Sequence, residues 1–298
     1  METSAEYLFE QSLAEFKICL ITSDQIKVFK PAIGEGGFGK VYKGQLGDQI
    51  VAIKKIKLED DGEKKNVYAE IFNEIKVIQK ANHPNIPTFF GVWKNKNHYH
   101  LVFEFIEGKS WRYCYDSMDK KTKLEILCDL CSILEDLHAK KLIHRDIKPD
   151  NVMIEAGNKP RLIDFGVSKI ATKTATFTKV AIGTIPYMAP EMYDFDVDMI
   201  DVNEVDAKPV PVSTYSDIWS FGCMISEVFS GLKPWHRKKD SNLVEIYIIE
   251  KLTCQTKFPI AVNIDPDVKV LIEKVMVYDP FARPTAGELK QMILEILK

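Results

Sequence analysis

The spacing of apolar residues changes near residue 108, and this change constrains the fold more than any other feature. Before it, a weak apolar face predicts a short amphipathic helix over 3–18, and helical spacing predicts a second helix over 67–80. Short alternating runs predict strands over 28–33, 40–46, 50–53, 88–93 and 100–105. After it, helical spacing predicts helices over about 122–140, 214–231, 242–252 and 266–278, another from Thr285, and two short strands within 151–163. We therefore expect an α+β chain with two unlike lobes, and a cleft between such lobes commonly binds a ligand.

Composition narrows the class of partner. The 298 residues include 40 basic and 43 acidic side chains, a net charge of −3, which argues against a nucleic-acid binder. No apolar run is long enough to predict a membrane span. The pair Cys128 and Cys131 has the spacing of a redox or zinc motif, but it falls on the apolar face of a predicted helix, which favours packing. We expect a reduced, cytoplasmic protein with no nucleic-acid or membrane partner.

A glycine cluster, Gly-Glu-Gly-Gly-Phe-Gly-Lys-Val, begins at Gly34 and also contains Gly36 and Gly39. Glycine lets backbone amides approach a phosphate closely because it has no Cβ atom. A dinucleotide-binding turn requires a helix directly after the last glycine, whereas a strand is predicted here. The predicted strand counts against a dinucleotide-binding turn, and the cluster alone does not identify a nucleotide site.

Four more motifs follow in order. Val-Ala-Ile-Lys ends at Lys54, whose side chain in an apolar strand requires either solvent or an acidic partner. His-Arg-Asp-Ile-Lys-Pro-Asp-Asn spans 144–151, an aspartate follows an apolar strand in Asp-Phe-Gly at 164–166, and Met-Ala-Pro-Glu ends at Glu191. Each motif alone could be coincidental, but five in this order could not.

Together these motifs resemble the eukaryotic-type protein kinases of the serine/threonine class, over about residues 26–298. Within that class the glycine loop and the Tyr-Met-Ala-Pro-Glu segment are most similar to the tyrosine-kinase-like and mixed-lineage branch, whereas residues 162–169 resemble the Ste20-like branch. The resemblance implies a bilobal fold in which ATP binds between an antiparallel-sheet lobe with one control helix and a helical lobe. The expected division is an N-terminal extension over 1–25, an N-lobe over 26–106 and a C-lobe over 107–298.

The resemblance also implies which residues contact ATP. Lys54 would hold the α- and β-phosphates and pair with Glu74 of the control helix, preferred over Glu70 one turn earlier. Phe103 would be the gatekeeper residue, and the backbone of 104–106 would bond adenine. Asn151 and Asp164 would bind Mg²⁺, with Mn²⁺ as an alternative. The implied ATP-contacting residues are Ile33, Gly34, Gly36, Gly39, Val41, Ala52, Lys54, Glu74, Phe103, Glu104, Ile106, Met153 and Asp164.

The implied catalytic residue is Asp146, which would accept or orient the proton of the substrate hydroxyl. Lys148 and the expected bridge from Thr184 to Asp146 and Lys148 are typical of kinases that phosphorylate serine or threonine in proteins. The alternatives are a kinase-like scaffold that binds ATP and signals by contact, a tyrosine or dual-specificity kinase, and a small-molecule kinase. The sequence does not indicate an oligomeric state.

Control and stability residues complete the resemblance. Arg145 would receive a phosphate from the activation segment, with Thr178 as the first candidate and Thr176 as the second; the alternative is that these threonines only keep the loop soluble. Asp217 is expected to anchor the catalytic loop, and Arg283 to pair with Glu191. An acidic insert over 194–206 is either a surface loop or a docking site for basic substrates.

Overall fold

The computed structural model describes residues 5–36, 39–56, 64–95, 98–166, 168–170, 184–192, 213–235, 248, 251–252 and 255–298. Thr176, Thr178 and the acidic insert over 194–206 lie outside the described residues. The chain divides into two compact units. Unit 1 comprises Met1–Gly108 with Ile163–Gly166, and unit 2 comprises Lys109–Leu162 with Val167–Lys298.

Unit 1 is built on a seven-stranded sheet whose path runs β1-β6-β7-β5-β4-β2, with β3 paired to β4. The strands are β1 (Leu20–Ile21), β2 (Ile26–Val28), β3 (Gly34–Gly36), β4 (Gly39–Leu46), β5 (Gln49–Ile56), β6 (Phe89–Asn95) and β7 (His98–Glu104). All pairs are antiparallel except β1 with β6. The alternating pattern of β4 and β5 therefore forms the predicted hairpin around the turn at Gly47.

The described part of unit 1 contains two helices. Helix α1 spans Ala5–Glu15 and helix α2 spans Lys64–Lys80. Apolar residues of both helices share one core cluster with the strands β6 and β7, including Phe9, Leu13, Ile71 and Ile75. Part of the predicted N-terminal extension is therefore built into the core of unit 1.

Unit 2 is mainly helical. The longer α-helices within its described residues are α3 (Lys120–Ala139), α4 (Thr214–Ser230), α5 (Pro266–Val275) and α6 (Ala286–Ile296). Each boundary has a local chemical cause: Asp119 caps α3, a left-handed Gly231 ends α4, Asp265 caps α5, and Thr285 forms a capping box with Glu288 at α6. Helix α3 buries eight side chains, among them Leu124, Leu127, Cys131 and Leu134.

The remaining strands are short. They are β8 (Gly108–Ser110), β9 (Leu142–Ile143), β10 (Val152–Glu155), β11 (Lys159–Leu162) and β12 (Lys169–Ile170). Strands β10 and β11 form the hairpin predicted within 151–163. Strand β9, which precedes this hairpin in the chain, pairs with β12, which follows it. Residues 144–151 connect β9 to β10.

Most sequence predictions of secondary structure are confirmed, and the differences are local. The strand predicted over 28–33 is shorter than expected: β2 ends at Val28, and the Phe29 amide still donates to the Lys43 carbonyl at 2.8 Å. Pro31 has no amide hydrogen with which to continue the ladder. The helix predicted over 266–278 ends at Val275, where Met276 is the C-cap. In the helix predicted over 242–252, only residues 248 and 251–252 are described, and they are helical.

Two findings bear on the predicted class of protein. Among the described residues, no helix is both long and apolar enough to cross a lipid bilayer. In the same part of the chain, no three His, Cys, Asp or Glu side chains are grouped closely enough to hold a metal ion. Cys131 is buried on α3 and Cys128 is half-buried beside it, and neither forms a disulfide.

Candidate active site

A buried lysine is the centre of the polar site in unit 1. Strand β5 carries Lys54, whose Nζ atom donates to Glu74 Oε1 at 2.7 Å and to Asp164 Oδ1 at 2.9 Å. Helix α2 supplies Glu74, so the acid preferred from the sequence is the one that pairs with the lysine. Only 8% of Lys54 and 6% of Glu74 are exposed.

This environment keeps Lys54 charged. Burial opposes the charge of the ammonium group, but the two carboxylates more than offset it and hold the pKa of Lys54 above its ordinary value. A fixed cation with three hydrogen-bond donors is suited to an anionic ligand. Removing one member would leave a buried, uncompensated charge, which costs about 3–5 kcal/mol.

The glycine cluster forms a hairpin beside this lysine on the sheet. Gly34 pairs with Val41 and Gly36 with Gly39 across β3 and β4, and the Ile33 amide donates to the Val41 carbonyl at 2.8 Å. In the neighbouring registers, Val41 lies opposite Lys54 and Ala52 opposite Phe103. Because side chains alternate between faces, Val41, Ala52, Lys54 and Phe103 share one face of the sheet.

Strand β7 ends at the segment predicted to bond adenine. The Glu104 amide donates to the Thr88 carbonyl at 2.8 Å, and the Glu104 carboxylate accepts from the Thr88 amide at 3.0 Å. Phe103 packs against Phe89 with ring centroids 5.4 Å apart, and Ile106 is buried. These contacts fix the Glu104 end of β7 to Thr88, the residue just before β6.

Asp146 is the centre of a second polar cluster, in unit 2. Its Oδ1 atom accepts from the Thr184 hydroxyl at 2.7 Å, and its Oδ2 atom accepts from Lys148 Nζ at 2.6 Å and from Asn151 Nδ2 at 2.7 Å. Lys148 also donates to Thr184 Oγ1 at 2.5 Å, which confirms the predicted bridge. Asn151 donates to the Asp146 carbonyl as well, at 2.8 Å, so its amide oxygen remains the atom suited to a metal ion.

A buried carboxylate holds the loop that carries Asp146. Asp217 of α4 accepts from the His144 amide at 2.9 Å, the Arg145 amide at 2.8 Å and His138 Nε2 at 3.0 Å. Burial opposes the charge of Asp217, but these donors outweigh it and lower its pKa. The predicted anchoring role of Asp217 is confirmed.

Two non-glycine residues of the predicted site have left-handed backbones. Arg145 has φ of 69° and Asp164 has φ of 63°. Such conformations cost roughly 1–3 kcal/mol and persist where the surrounding structure imposes them, often at functional sites. At Arg145 the imposed conformation accompanies burial: within the described residues its Nε atom has no hydrogen-bond partner, and burial lowers the pKa of the guanidinium.

Sequence reasoning missed a polar network around Glu227, a fully buried residue of α4. Arg112 bonds Glu227 and also donates to Asp150 Oδ2 at 2.8 Å and to the Tyr187 hydroxyl at 2.8 Å. Tyr187 in turn donates to Glu227. The available signal was an acidic residue inside the apolar run of α4, because a buried acid requires partners.

A second buried ion pair of unit 2 was predicted. Arg283 donates from its Nη1 and Nη2 atoms to the two Glu191 oxygens at 2.7 and 2.9 Å. Its remaining hydrogens reach the carbonyls of Val277, Tyr215 and Tyr278. The pair therefore fixes the end of the Met-Ala-Pro-Glu motif to the start of α6.

The predicted site residues fall into two described groups. Those in unit 1 are Ile33, Gly34, Gly36, Gly39, Val41, Ala52, Lys54, Glu74, Phe103, Glu104, Ile106 and Asp164, and those in unit 2 are Arg145, Asp146, Lys148, Asn151, Met153 and Thr184. Met153 lies on β10 opposite Arg161.

Residues 28–294 match the protein kinase domain family. The chain belongs to that family. A protein kinase domain uses ATP with a divalent metal ion and acts on protein substrates, so both polar clusters lie in a domain of known reaction type.

Several relatives are serine/threonine kinases by name. The chain is 28% identical to serine/threonine-protein kinase SSK22 of Saccharomyces cerevisiae, over 86% of this chain and 20% of the relative. It is 28% identical to STY46 and 26% identical to CTR1, both serine/threonine-protein kinases of Arabidopsis thaliana, over 91% and 90% of this chain and 44% and 31% of those relatives. The chain thus spans less than half of the length of these curated relatives.

Proposed function

We propose that this chain transfers the γ-phosphate of ATP to serine and threonine hydroxyls of proteins. The observation that carries the proposal is the bonded set of Asp146, Lys148 and Thr184, in which a carboxylate is fixed by an ammonium group and a hydroxyl. That set is the arrangement the serine/threonine resemblance implies. The names of the relatives support the same acceptor.

The phosphates of ATP are assigned to the glycine hairpin and Lys54. Gly34, Gly36 and Gly39 lie on the paired strands β3 and β4 and have no Cβ atoms to keep a phosphate from the backbone, and Lys54 supplies a positive charge whose pKa its two acidic partners raise. Glu74 holds the lysine in place at 2.7 Å. These groups lower the energy of a triphosphate mainly by position and electrostatics, as phosphoryl transfer requires.

The adenine ring is assigned to apolar side chains around β5 and β7. Val41 and Ala52 share a sheet face with the gatekeeper Phe103, and the backbone of Glu104 and Ile106 would supply the hydrogen bonds. Ile33 and Met153 are the other apolar residues that the resemblance assigns to ATP. A phenylalanine at 103 should close the pocket behind adenine to bulky inhibitors.

Asn151 and Asp164 would hold Mg²⁺, or Mn²⁺ in its place. One carboxylate and one amide oxygen are hard donors of the kind that magnesium prefers, and Asn151 has its nitrogen committed to Asp146. When bound, the ion would neutralise charge on the β- and γ-phosphate oxygens. Asp164 also accepts from Lys54, so the same carboxylate would position both cations.

Asp146 orients the acceptor in this proposal. Its carboxylate would accept the hydrogen bond of the substrate hydroxyl and take up its proton as the phosphate is transferred. Lys148 would place positive charge near the transferred γ-phosphate, and Thr184 keeps the lysine and the aspartate in register. Asn151 fixes the remaining side of the carboxylate.

Activation by phosphorylation is a separate part of the proposal. Arg145 is 6% exposed and its Nε atom has no hydrogen-bond partner in the described part of the chain. A phosphate on Thr178 or Thr176 would bring nearly two negative charges and three acceptor oxygens to such a guanidinium.

We also place the chain in the reducing interior of the cell, since its five described cysteines are unpaired.

The test of the catalytic proposal compares Asp146→Asn with wild type. We expect Asp146→Asn to lose phosphate transfer to a peptide library by at least about a hundredfold, because it removes both the base and the charge at the acceptor. ATP affinity, measured by calorimetry, should be nearly unchanged, since the phosphates are assigned to other residues. Activity within threefold of wild type would show that Asp146 has no such role.

A further inference from the structure

Helix α1 lies outside the part of the chain that matches the kinase family, residues 28–294, yet it is part of the core of unit 1. Phe9 is 4% exposed and Leu13 is fully buried. Both belong to the cluster that contains Ile71 and Ile75 of α2. An apolar face this well buried contributes to the position of the helix that it covers.

Aromatic contacts define how α1 meets α2. The ring of Phe9 stacks on Tyr68 with centroids 5.2 Å apart, and it meets Phe72 and Tyr99 edge-on at 6.5 and 5.1 Å. Phe16, just after α1, contacts Phe72 edge-on at 5.0 Å. Oriented aromatic pairs have preferred geometries, so they fix the two helices more specifically than aliphatic packing alone.

A polar contact fixes the other side of α1 to the sheet. Lys94 of β6 pairs with Glu6 at 3.0 Å and with Glu10 at 2.6 Å. The Tyr99 hydroxyl of β7 donates to the same two carboxylates, at 3.1 and 3.0 Å. The acids lie one helical turn apart, so one lysine and one tyrosine set the rotation of α1 about its axis.

The chain after α1 is joined to the sheet by its backbone. Strand β1 pairs in parallel with β6, and the Val92 amide donates to the Cys19 carbonyl at 2.9 Å. Gly91 makes this approach possible, because a Cβ atom there would lie 2.2 Å from the Cys19 oxygen. The sheet therefore contains a position shaped to receive the N-terminal segment.

Helix α2 connects this packing to the site. Ile71 and Ile75 lie on the side of α2 that shares its core with α1, and Glu74, one residue before Ile75, reaches Lys54. A helix is rigid over such a distance, so a slide or rotation of α2 moves Glu74 with it. The Lys54–Glu74 distance of 2.7 Å leaves little tolerance for that movement.

We propose that Phe9 of α1 is a positioning residue for phosphoryl transfer, which acts through α2 by holding Glu74 against Lys54. This inference rests on the proposed function of Lys54 as the phosphate-holding residue. If so, residues 5–21 contribute to catalysis although they lie outside the part of the chain that matches the kinase family.

The test is a double-mutant cycle on the full chain, with a peptide library and ATP as substrates. Phe9→Ala should lower kcat by about tenfold, because the rate falls in proportion to the fraction of molecules in which Glu74 contacts Lys54. Leu8→Ala is the matched control, since Leu8 is half-exposed on the same helix, and it should leave kcat unchanged. Phe9→Leu, which retains an apolar side chain, should restore most of the rate.

Glu74→Gln provides the background that separates positioning from general stability. In Glu74→Gln the contact with Lys54 is already weakened, so Phe9→Ala should lower kcat by at most about a further twofold. An undiminished tenfold loss in that background, or activity of Phe9→Ala equal to wild type, would overturn the proposal. Lys94→Met replaces Phe9→Ala in the same cycle if that variant does not fold.

Hydrogen exchange makes the test independent of activity. Phe9→Ala should accelerate exchange over residues 68–80 of α2 and leave β4 and β5 protected. Uniform acceleration through the unit, or none in α2, would contradict the proposal. If wild type transferred no phosphate, the proposed function would fail, while the exchange pattern would still decide whether α1 positions α2.

Discussion

Thr184 links the two charged groups of the candidate catalytic cluster, and its hydroxyl can be removed with almost no change in volume. In Thr184→Val a methyl group replaces the oxygen that donates to Asp146 at 2.7 Å and accepts from Lys148 at 2.5 Å. Thr184→Ser is the matched control because it keeps the hydroxyl. All three residues belong to the same unit, so the change is local.

The magnitude follows from the hydrogen bonds that remain. A bond to a charged group contributes about 1.5–3 kcal/mol, and Thr184 makes two. Lys148 still bonds Asp146 directly at 2.6 Å in the variant, so we count the loss of only one, about 2 kcal/mol. If that energy is used in the transition state, kcat should fall by about thirtyfold.

The assay is steady-state phosphorylation of a peptide library at saturating ATP, with ATP affinity measured separately by calorimetry. Thr184→Val should lose about thirtyfold in kcat while its ATP affinity is retained, and Thr184→Ser should remain within about threefold of wild type. A Thr184→Val enzyme as active as wild type would refute the proposal that this hydroxyl organises Asp146 and Lys148. Equal losses in both variants would refute the role of the hydroxyl as well.

Three further predictions concern stability and control. Arg283→Met should lower the free energy of unfolding in urea by about 4 kcal/mol, because Glu191 remains buried without its partner, and a loss below about 1 kcal/mol would contradict this. Burial lowers the pKa of His100 to about 4. Below pH 6.5 the imidazole therefore binds a proton in the unfolded chain but not in the folded one. The free energy of unfolding should fall by up to about 3 kcal/mol between pH 6.5 and 4. His100→Gln should lack this part of the decline, and parallel pH curves for the two proteins would show that His100 is not its source. Mass spectrometry of autophosphorylated protein should find phosphate on Thr178 or Thr176, and the double alanine variant should lose kcat, whereas full activity would mean that activation has another basis.

The sequence predicted those parts of the site that depend on short motifs. Lys54 was identified from its apolar strand as a lysine in need of an acid, whereas Glu74 was chosen as its partner over Glu70 from the family resemblance. The bridge from Thr184 to Asp146 was predicted from a family pattern rather than from physics. Pro31 shows the opposite case: its missing amide hydrogen is visible in the sequence and is incompatible with a continuous strand over 28–33.

Long-range packing accounts for what the sequence did not reveal. The apolar face of α1 was visible as a weak pattern, but its partner, the face of α2 around Ile71, is more than fifty residues away in the chain. Glu227 and Arg112 are likewise brought together only by the tertiary fold. A sequence shows that a buried acid requires a partner, whereas which residue supplies it depends on the packing of helices.

The acceptor residue of the reaction tests the central claim most directly. Wild-type protein is incubated with γ-labelled ATP, Mg²⁺ and a peptide library that offers serine, threonine and tyrosine, and the labelled amino acids are identified after hydrolysis. We predict label on serine and threonine, with the Asp146→Asn protein at background. Label on tyrosine alone would contradict the assignment of Lys148 and Thr184, and label no greater than in Asp146→Asn would contradict the assignment of a kinase activity to this chain.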